Sequence, residues 1–239
     1  MNFLFHMACT HRKRCRSRLL LALLSCILLA CTSPPKRTPF DYTALKNHMP
    51  QSILVLPPVN QSMDSGASVS MWAASTLPLA EAGYYVLPVA WVQATFQHNG
   101  LTVPEDIHAV AHERLQTLFG ADAALYINVT AYGTVYQVIH SVTTVSANAT
   151  LVDLKSGAVL WSGASSASSA EKQGSQSSLT MMLVAAVVNQ IVANVGNASH
   201  AMAHTTAQRL IGAGTDGGLL YGPRSPHFAL PYSDRRPPL

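Results

Sequence analysis

The first thirty residues carry the three parts of a secretory export signal. Five basic residues between Arg12 and Arg18 precede a mostly apolar stretch from Leu19 to Leu29, and the small residue Ala30 stands before Cys31. A positive segment, an apolar segment of this length and a small residue at the cut are typical of such signals. The apolar stretch has eleven residues, which are too few to span a bilayer comfortably as a helix. Only the chain from Cys31 onward is therefore expected to fold.

The four residues from Leu28 to Cys31 (LLAC) resemble the lipobox of bacterial lipoproteins. In that motif the cysteine thiol takes a diacylglycerol before cleavage, and the freed amine is acylated afterwards. The resemblance implies that Cys31 is the lipidated first residue of the mature protein, because two or three acyl chains form a stable membrane anchor. By the sorting rule of enteric bacteria, Thr32 in place of Asp implies the outer membrane, with the domain facing the periplasm. The cell surface is the alternative location.

Removal of the signal changes the charge of the chain. Five of the 15 Lys and Arg residues lie in the signal, whereas all 11 Asp and Glu residues lie beyond Cys31. The full chain has a formal charge of +4, and the mature chain is therefore near −1. Because nucleic-acid binding needs a basic surface, the sequence excludes nucleic acid as a partner.

Cysteine usage predicts a fold that depends on an ordinary hydrophobic core. Cys9, Cys15 and Cys26 lie in the signal, so only the acylated Cys31 remains and no disulfide is available. The 209 mature residues are enough for one core. Residues 31–40 form a proline-rich tether in this interpretation, residues 41–211 form the domain, and residues 212–239 form a Gly- and Pro-rich tail.

The first half of the domain predicts a βαβ unit. Ser52–Leu56 reads as a strand that is apolar on both faces, as in the buried sheets of α/β proteins. Ala67–Ala82 reads as a helix, and Tyr84–Leu87 reads as a second buried strand. The helix places an apolar stripe at three- and four-residue steps, made of Val69, Trp72, Ala73, Leu77 and Ala80.

The second half predicts further helices and then an antiparallel hairpin. A short helix is expected over Val89–Gln97, and a longer one begins at about Glu105 and stops at Gly120. Ala123–Val129 reads as a third strand, and Lys155-Ser156-Gly157 reads as a tight hairpin turn. The predicted fold is therefore a single α/β domain with a mixed sheet, a βαβ unit plus an antiparallel hairpin, covered by helices. Leu54, Val86, Leu125, Ile127, Leu151, Val187 and Ile191 are expected to be buried.

Leu179–Val195 is the most apolar segment inside the domain. Val184, Val187, Val188 and Ile191 form a helical stripe, and polar residues such as Asn189 argue against a membrane span. The segment is either a core helix or a helix whose second face meets another subunit. We expect self-association or docking through it and through the last helix, Ala198–Ile211, although the tail could cover the same surface.

Two histidine pairs are the candidate metal ligands. His108 and His112 stand four residues apart on the helix predicted from Glu105, and His200 and His204 repeat this spacing on the last helix. Neutral imidazoles at this spacing can share a metal ion. The internal glutamate of the zinc-protease motif is absent, so solvent-facing histidines are the favoured interpretation and metal binding is the alternative.

No residue pattern in the chain predicts catalysis or a cofactor. The nucleophile motif Gly-x-Ser-x-Gly is absent, and the serine-rich stretch from Ser165 to Ser178 has no nearby base signature. Residues 212–218 (GAGTDGG) have the composition of a phosphate loop but follow a helix instead of a strand. A non-enzymatic protein without a cofactor is the expectation.

Four stretches together resemble one family of proteins. They are the lipobox ending in Cys31, residues 53–60 (ILVLPPVN), residues 123–127 (AALYI) and residues 220–226 (LYGPRSP). The mature chain is similar to a family of bacterial lipoproteins of unknown function that accompanies lipoproteins similar to CsgG, the curli secretion component. The fold of that family resembles the amino-terminal domain of TolB.

This resemblance implies an accessory role in an envelope transport or secretion assembly, with protein partners or self-association, and it supplies no catalytic residue. CsgG forms its pore through long transmembrane hairpins. The sequence shows no convincing pair of lipid-facing hairpins, so pore formation is not expected.

Overall fold

The computed structural model describes residues 40–136, 141–172 and 195–228. The helices are α1 (Thr43–His48), α2 (Ala67–Glu81), α3 (Val89–His98), α4 (Pro104–His108), α5 (His112–Phe119) and α6 (Val195–Ile211), and a 3₁₀ helix covers Ser169–Lys172. The strands are β1 (Ser52–Val55), β2 (Val59–Asn60), β3 (Tyr85–Val86), β4 (Ala123–Tyr136), β5 (Ser141–Asp153) and β6 (Val159–Ser168). Among these described residues, no helix is both long and apolar enough to cross a membrane.

The six strands form one mixed sheet. Its order is β3-β1-β4-β5-β6, and β2 pairs with β4 beside β1. The pairs β3–β1, β1–β4 and β2–β4 are parallel, whereas β4–β5 and β5–β6 are antiparallel. The parallel pairs need helical crossovers, and the antiparallel pair β5–β6 needs only a tight turn. The predicted fold class, a mixed-sheet α/β domain, is confirmed.

A local turn fixes the register of β5 and β6. The Asp153 carboxylate accepts hydrogen bonds from the Ser156 N–H at 2.7 Å and from the Ser156 hydroxyl at 2.6 Å. Gly157 has φ +73°, a left-handed conformation that glycine adopts without strain. The hairpin predicted at Lys155–Gly157 is therefore confirmed.

Each face of the sheet packs against different helices. Leu125, Leu151 and Trp161 are paired across three strands, so their side chains share one face. Leu210 of α6 lies against that face beside Gly163 and the Trp161 ring. Tyr126 points to the opposite face, where its ring contacts His108 of α4 at 5.2 Å between ring centroids.

Most of the described residues expected in the core are there, but Val86 is an exception. Leu54, Leu125, Ile127 and Leu151 are fully buried. Val86 is only partly buried because β3 is a two-residue strand at the edge of the sheet. The remaining two, Val187 and Ile191, lie outside the described residues.

Four of the five residues in the apolar stripe predicted for α2 lie on the outer side of the helix, and only Trp72 is buried. Val69 and Leu77 are 68% and 52% exposed, and Ala73 and Ala80 are exposed as well. The buried face contains Ala67, Ser70, Met71, Trp72, Ala74, Ser75, Pro78 and Leu79. No charged residue occurs between Ala67 and Ala80, so apolar spacing alone did not distinguish the inner face from the outer one.

The segment after α6 packs onto the domain. Leu219 and Leu220 belong to the hydrophobic core. Three aromatic side chains donate hydrogen bonds to backbone carbonyls of this segment. The Tyr42 hydroxyl donates to Gly218 at 2.7 Å, and the Tyr84 hydroxyl donates to Leu220 at 2.8 Å. The Trp161 indole N–H donates to Gly217 at 2.9 Å.

Leu125→Ala should lower the free energy of unfolding by about 2–5 kcal/mol, because it leaves a cavity in a fully buried row of the sheet. Val135→Ala is the control, since Val135 is 66% exposed on β4 and exposed substitutions change stability by about 0.5 kcal/mol or less. Urea unfolding measures both. Equal losses in the two variants would contradict this assignment of the core.

Candidate functional site

His108 and His112 do not share a helical face. The single helix predicted from Glu105 to Gly120 is wrong, because α4 ends at His108 and α5 begins at His112. Ala111, between the two helices, has the extended ψ of 138°, which breaks the helical spacing on which the pair depended.

The two imidazoles bond to different backbone carbonyls. Nε2 of His108 lies 3.0 Å from the Pro57 oxygen, and Nδ1 of His112 lies 3.3 Å from the Leu154 oxygen. The His112 ring also covers Gly157, where a Cβ atom would collide with it. Both histidines therefore act as packing and hydrogen-bonding groups between loops.

The second histidine pair is divided in a similar way. Nδ1 of His200 lies 2.6 Å from the Ser70 hydroxyl oxygen, which links α6 to α2. His204 is exposed to solvent. Within the described ranges, no group of three or more His, Cys, Asp or Glu side chains could hold a metal ion. The described residues therefore do not bring these four histidines together as a metal site.

Ser70, His200 and Tyr132 form a polar cluster that sequence spacing did not predict. The Ser70 residue is only 3% exposed, and Tyr132 lies close enough for the Ser70 hydroxyl to influence its pKa. Burial raises the pKa of Tyr132, and the bond to Ser70 opposes that rise. A serine beside a histidine has the geometry of a nucleophile and its base. Here the serine is almost fully buried, and its hydroxyl is engaged by His200.

An aromatic cleft lies at the β3 edge of the sheet. It has a volume of about 520 Å³ and is lined by Ser52, Tyr85, Leu87, Pro88, Trp91, Phe119 and Gly120. Tyr85 is 47% exposed and Trp91 is 48% exposed. This volume falls within the range of about 300–1,000 Å³ that is common for ligand pockets.

Neighbouring side chains hold the two aromatic rings of the cleft. The Arg224 guanidinium lies over the Tyr85 ring, 5.3 Å from its centroid. Phe119 meets the Trp91 ring edge-on, with centroids 5.5 Å apart and an interplanar angle of 90°. Neither the Tyr85 hydroxyl nor the Trp91 indole N–H has a hydrogen-bond partner among the described residues. Both rings are therefore held in place, and the Tyr85 hydroxyl and the Trp91 indole N–H are available for hydrogen bonding.

The Asp122 carboxylate stabilises the backbone next to the cleft, at the start of β1. Asp122 accepts hydrogen bonds from the Gln51 and Ser52 backbone N–H groups, both at 2.9 Å, and from the Ser52 hydroxyl at 2.8 Å. This carboxylate therefore ties the start of β1 to the residue before β4.

The backbone of β3 adds polar groups next to the cleft. The Tyr85 N–H donates a hydrogen bond to the Gln51 carbonyl, just before β1, and the Leu87 N–H donates one to the Ile53 carbonyl of β1. Because N–H directions alternate along a strand, the N–H and C=O of Val86 point away from β1 toward the open edge. Sequence reasoning treated Tyr85 as buried, although in the pair Tyr84-Tyr85 the two side chains must face opposite sides of a strand.

The fold defines the chain as an α/β protein of the mixed-sheet class. A family model described as "Putative lipoprotein GNA1162-like" matches residues 40–224, and the chain belongs to this family. A curated relative, "Putative lipoprotein NMB1124/NMB1162" of Neisseria meningitidis serogroup B (strain ATCC BAA-335 / MC58), is 46% identical over 206 residues, which are 86% of this chain and 95% of the relative. The resemblance to a bacterial lipoprotein family is confirmed.

Two solved structures are also similar to this chain. The crystal structure of lipoprotein GNA1162 from Neisseria meningitidis is 54% identical, covers 60% of this chain and 99% of its own, and has a TM-score of 0.49. The LpoB C-terminal domain from Salmonella enterica is 19% identical, covers 49% of this chain and 82% of its own, and has a TM-score of 0.38.

His108 should make the protein less stable in mild acid. Burial lowers the pKa of its imidazole, outweighing the Pro57 carbonyl and Glu105, which raise it. The unfolded chain therefore binds the proton more readily, and stability is lost as the pH falls below about 6.5. His108→Gln should reduce the difference in Tm between pH 7.5 and pH 5.5. The exposed His204→Gln variant should keep the wild-type difference, and equal profiles for all three proteins would contradict the assignment.

Proposed function

We propose that this protein is a lipid-anchored accessory subunit of a bacterial envelope transport or secretion assembly and has no enzymatic activity. In this proposal Cys31 carries the lipid, the anchor lies in the outer membrane and the domain faces the periplasm. The export signal, the lipobox and membership of a lipoprotein family support the location. The aromatic cleft at the β3 edge is the observation that carries the binding role.

The cleft has the chemistry of a protein-binding hot spot. Tyr and Trp dominate such hot spots because each combines a large apolar ring with a polar tip. Tyr85 and Trp91 are each about half exposed, and their neighbours restrict both rings. Little side-chain freedom would be lost when a partner binds, which favours affinity.

The open edge of β3 favours an extended segment of a protein partner. Such a segment binds an exposed strand through main-chain hydrogen bonds, and adjacent pockets receive its side chains. Val86 offers the main-chain groups, and the cleft beside it offers the pocket. The strand is short, so the aromatic rings would supply most of the binding free energy.

The Ser70–His200 pair is assigned a structural role in this proposal. Ser70 is almost fully buried, and its hydroxyl is engaged by His200. In the described part of the chain, no carboxylate is hydrogen-bonded to the His200 ring to orient it. The pair connects α2 with α6, as a buried polar contact between helices does.

Mass spectrometry of the mature N-terminal peptide tests the anchor. We expect a peptide that begins at Cys31 and carries acyl chains, because the lipobox directs both steps. Cys31→Ser should accumulate as unprocessed precursor, whereas Cys26→Ser, inside the signal, should be processed normally. An unmodified Cys31 or a retained apolar stretch would disprove lipidation.

Site-specific photo-crosslinking in the native envelope tests the cleft. A benzoyl-phenylalanine residue at Tyr85 or Trp91 should form an adduct with a protein of the assembly, because both positions face the proposed partner. The same residue at Gln208, on the polar outer side of α6, is the control. Adducts at Gln208 alone, or equal adducts at all three positions, would count against the cleft.

A Trp91→Ala variant tests whether the Trp91 ring contributes to binding. It should remain folded, since Trp91 is half exposed, and it should reduce the adduct formed from position 85. An unchanged adduct would show that the Trp91 ring does not contribute to binding.

A further inference from the structure

Arg224 places a positive charge beside the aromatic cleft. None of the described residues that line the cleft is charged. The Arg224 guanidinium lies over the ring of one of them, Tyr85, at 5.3 Å from the ring centroid. Arg224 is exposed and lies in residues 220–226 (LYGPRSP), the last of the four stretches that resemble the lipoprotein family. The rim of an apolar cleft therefore carries one cation in a defined place.

The main chain holds Arg224 next to the start of β3. The Arg224 N–H donates a hydrogen bond to the carbonyl of Gly83 at 3.2 Å, and Gly83 lies just ahead of β3 in the chain. The two segments approach so closely that a Cβ atom on Gly83, which has φ +92°, would collide with Ser225. Glycine permits both this φ and this close approach. The backbone from which the Arg224 side chain leaves is therefore fixed beside the open edge of the sheet.

The Arg224 guanidinium has no acidic partner in the described part of the chain. The ion pairs between described residues join His112 to Glu113 and Arg209 to Glu171. No described residue accepts a hydrogen bond from the Arg224 side chain. A guanidinium has several N–H donors in a planar fork that matches a carboxylate. The side chain over Tyr85 is therefore available to a carboxylate of a partner.

The geometry of β3 sets the spacing between the cleft and this cation. Tyr85 and Leu87 both line the cleft, because alternate side chains of a strand share one face. Along the strand they are about 6.6 Å apart. A segment that adds to this edge at Val86 presents its own alternate side chains at the same spacing. When one of them enters the cleft beside Leu87, the side chain two positions away lies beside Tyr85 and reaches the Arg224 guanidinium.

We infer that the partner segment carries an acidic side chain two positions from an apolar one, and that Arg224 pairs with this carboxylate while the apolar side chain fills the cleft. The inference rests on the proposed function, because it names the chemistry of the partner at the same cleft. Arg224 is thereby a specificity determinant. A segment with lysine or arginine at the acidic position would bring two like charges together, which rejects it.

Photo-crosslinking of the full-length protein in the native envelope, followed by mass spectrometry of the linked peptide, tests this inference. Benzoyl-phenylalanine replaces Trp91, so that Tyr85 and Arg224 stay intact. The linked peptide should contain an aspartate or a glutamate two positions from the apolar residue at the linkage.

Two arginine substitutions show whether Arg224 selects this peptide. Arg224→Gln should reduce the yield of the adduct about five- to tenfold, the effect of losing one charge-assisted pair. Arg114→Gln removes the same charge from an exposed position on α5 and should keep the wild-type yield. Both variants should keep a Tm near that of the wild type, because both side chains are exposed. Equal losses of adduct in the two variants would contradict the inference.

An exchange of charges gives a readout that does not depend on the stability of the variants. Arg224→Glu should abolish the adduct, because it places a carboxylate against the partner's carboxylate. An arginine in place of the partner's acidic residue should then restore the adduct, since the exchanged pair again has opposite charges. Failure of this second change to restore the adduct would refute the ion pair.

The outcomes separate this inference from the proposed function. An adduct at position 91 whose peptide lacks an acidic residue at this spacing, or whose yield Arg224→Gln does not change, overturns the inference and leaves the binding cleft in place. A linked peptide whose carboxylate is the C-terminus of the partner chain overturns it as well. Absence of adducts at both position 85 and position 91 removes the proposed binding role, and the inference fails with it.

Discussion

Strand β4 joins the two halves of the sheet through its backbone hydrogen bonds. On one side it pairs in parallel with β1 and β2, and on the other it pairs antiparallel with β5 along thirteen register pairs. Its central residues Leu125, Ile127 and Val129 are fully buried. The βαβ unit and the β4–β5–β6 meander share no other strand pairing, so the relative position of cleft, hairpin and tail depends on this strand.

One extra residue in β4 also places the polar cluster. The register with β5 shifts between Val129 and Ala131, which leaves Thr130 as a bulge. Beyond the bulge, Tyr132 pairs with the fully buried Val145 and therefore turns to the face that carries α6. Without the shift, Tyr132 would point to the opposite face and would not reach Ser70.

The parts of the fold that depend on local chemistry could be predicted from the sequence. The hairpin needs only an aspartate, a serine and a glycine at fixed spacing, and the strand at Ala123 needs only an apolar run between turn residues. The outer face of α2 could not be assigned, because no charged residue before Glu81, the last residue of the helix, marks its solvent side. The helix break before His112 and the bonds from Tyr42 and Trp161 to the tail depend on residues far apart in sequence, which spacing does not reveal.

The first described residue and the proposed binding cleft lie at opposite edges of the sheet. Phe40, the first described residue, packs near Trp161 on β6, with ring centroids 6.5 Å apart. The cleft lies beside β3, four strand spacings away in the sheet order, which is about 19 Å. The described chain therefore begins next to β6, at the far edge of the sheet from the aromatic cleft.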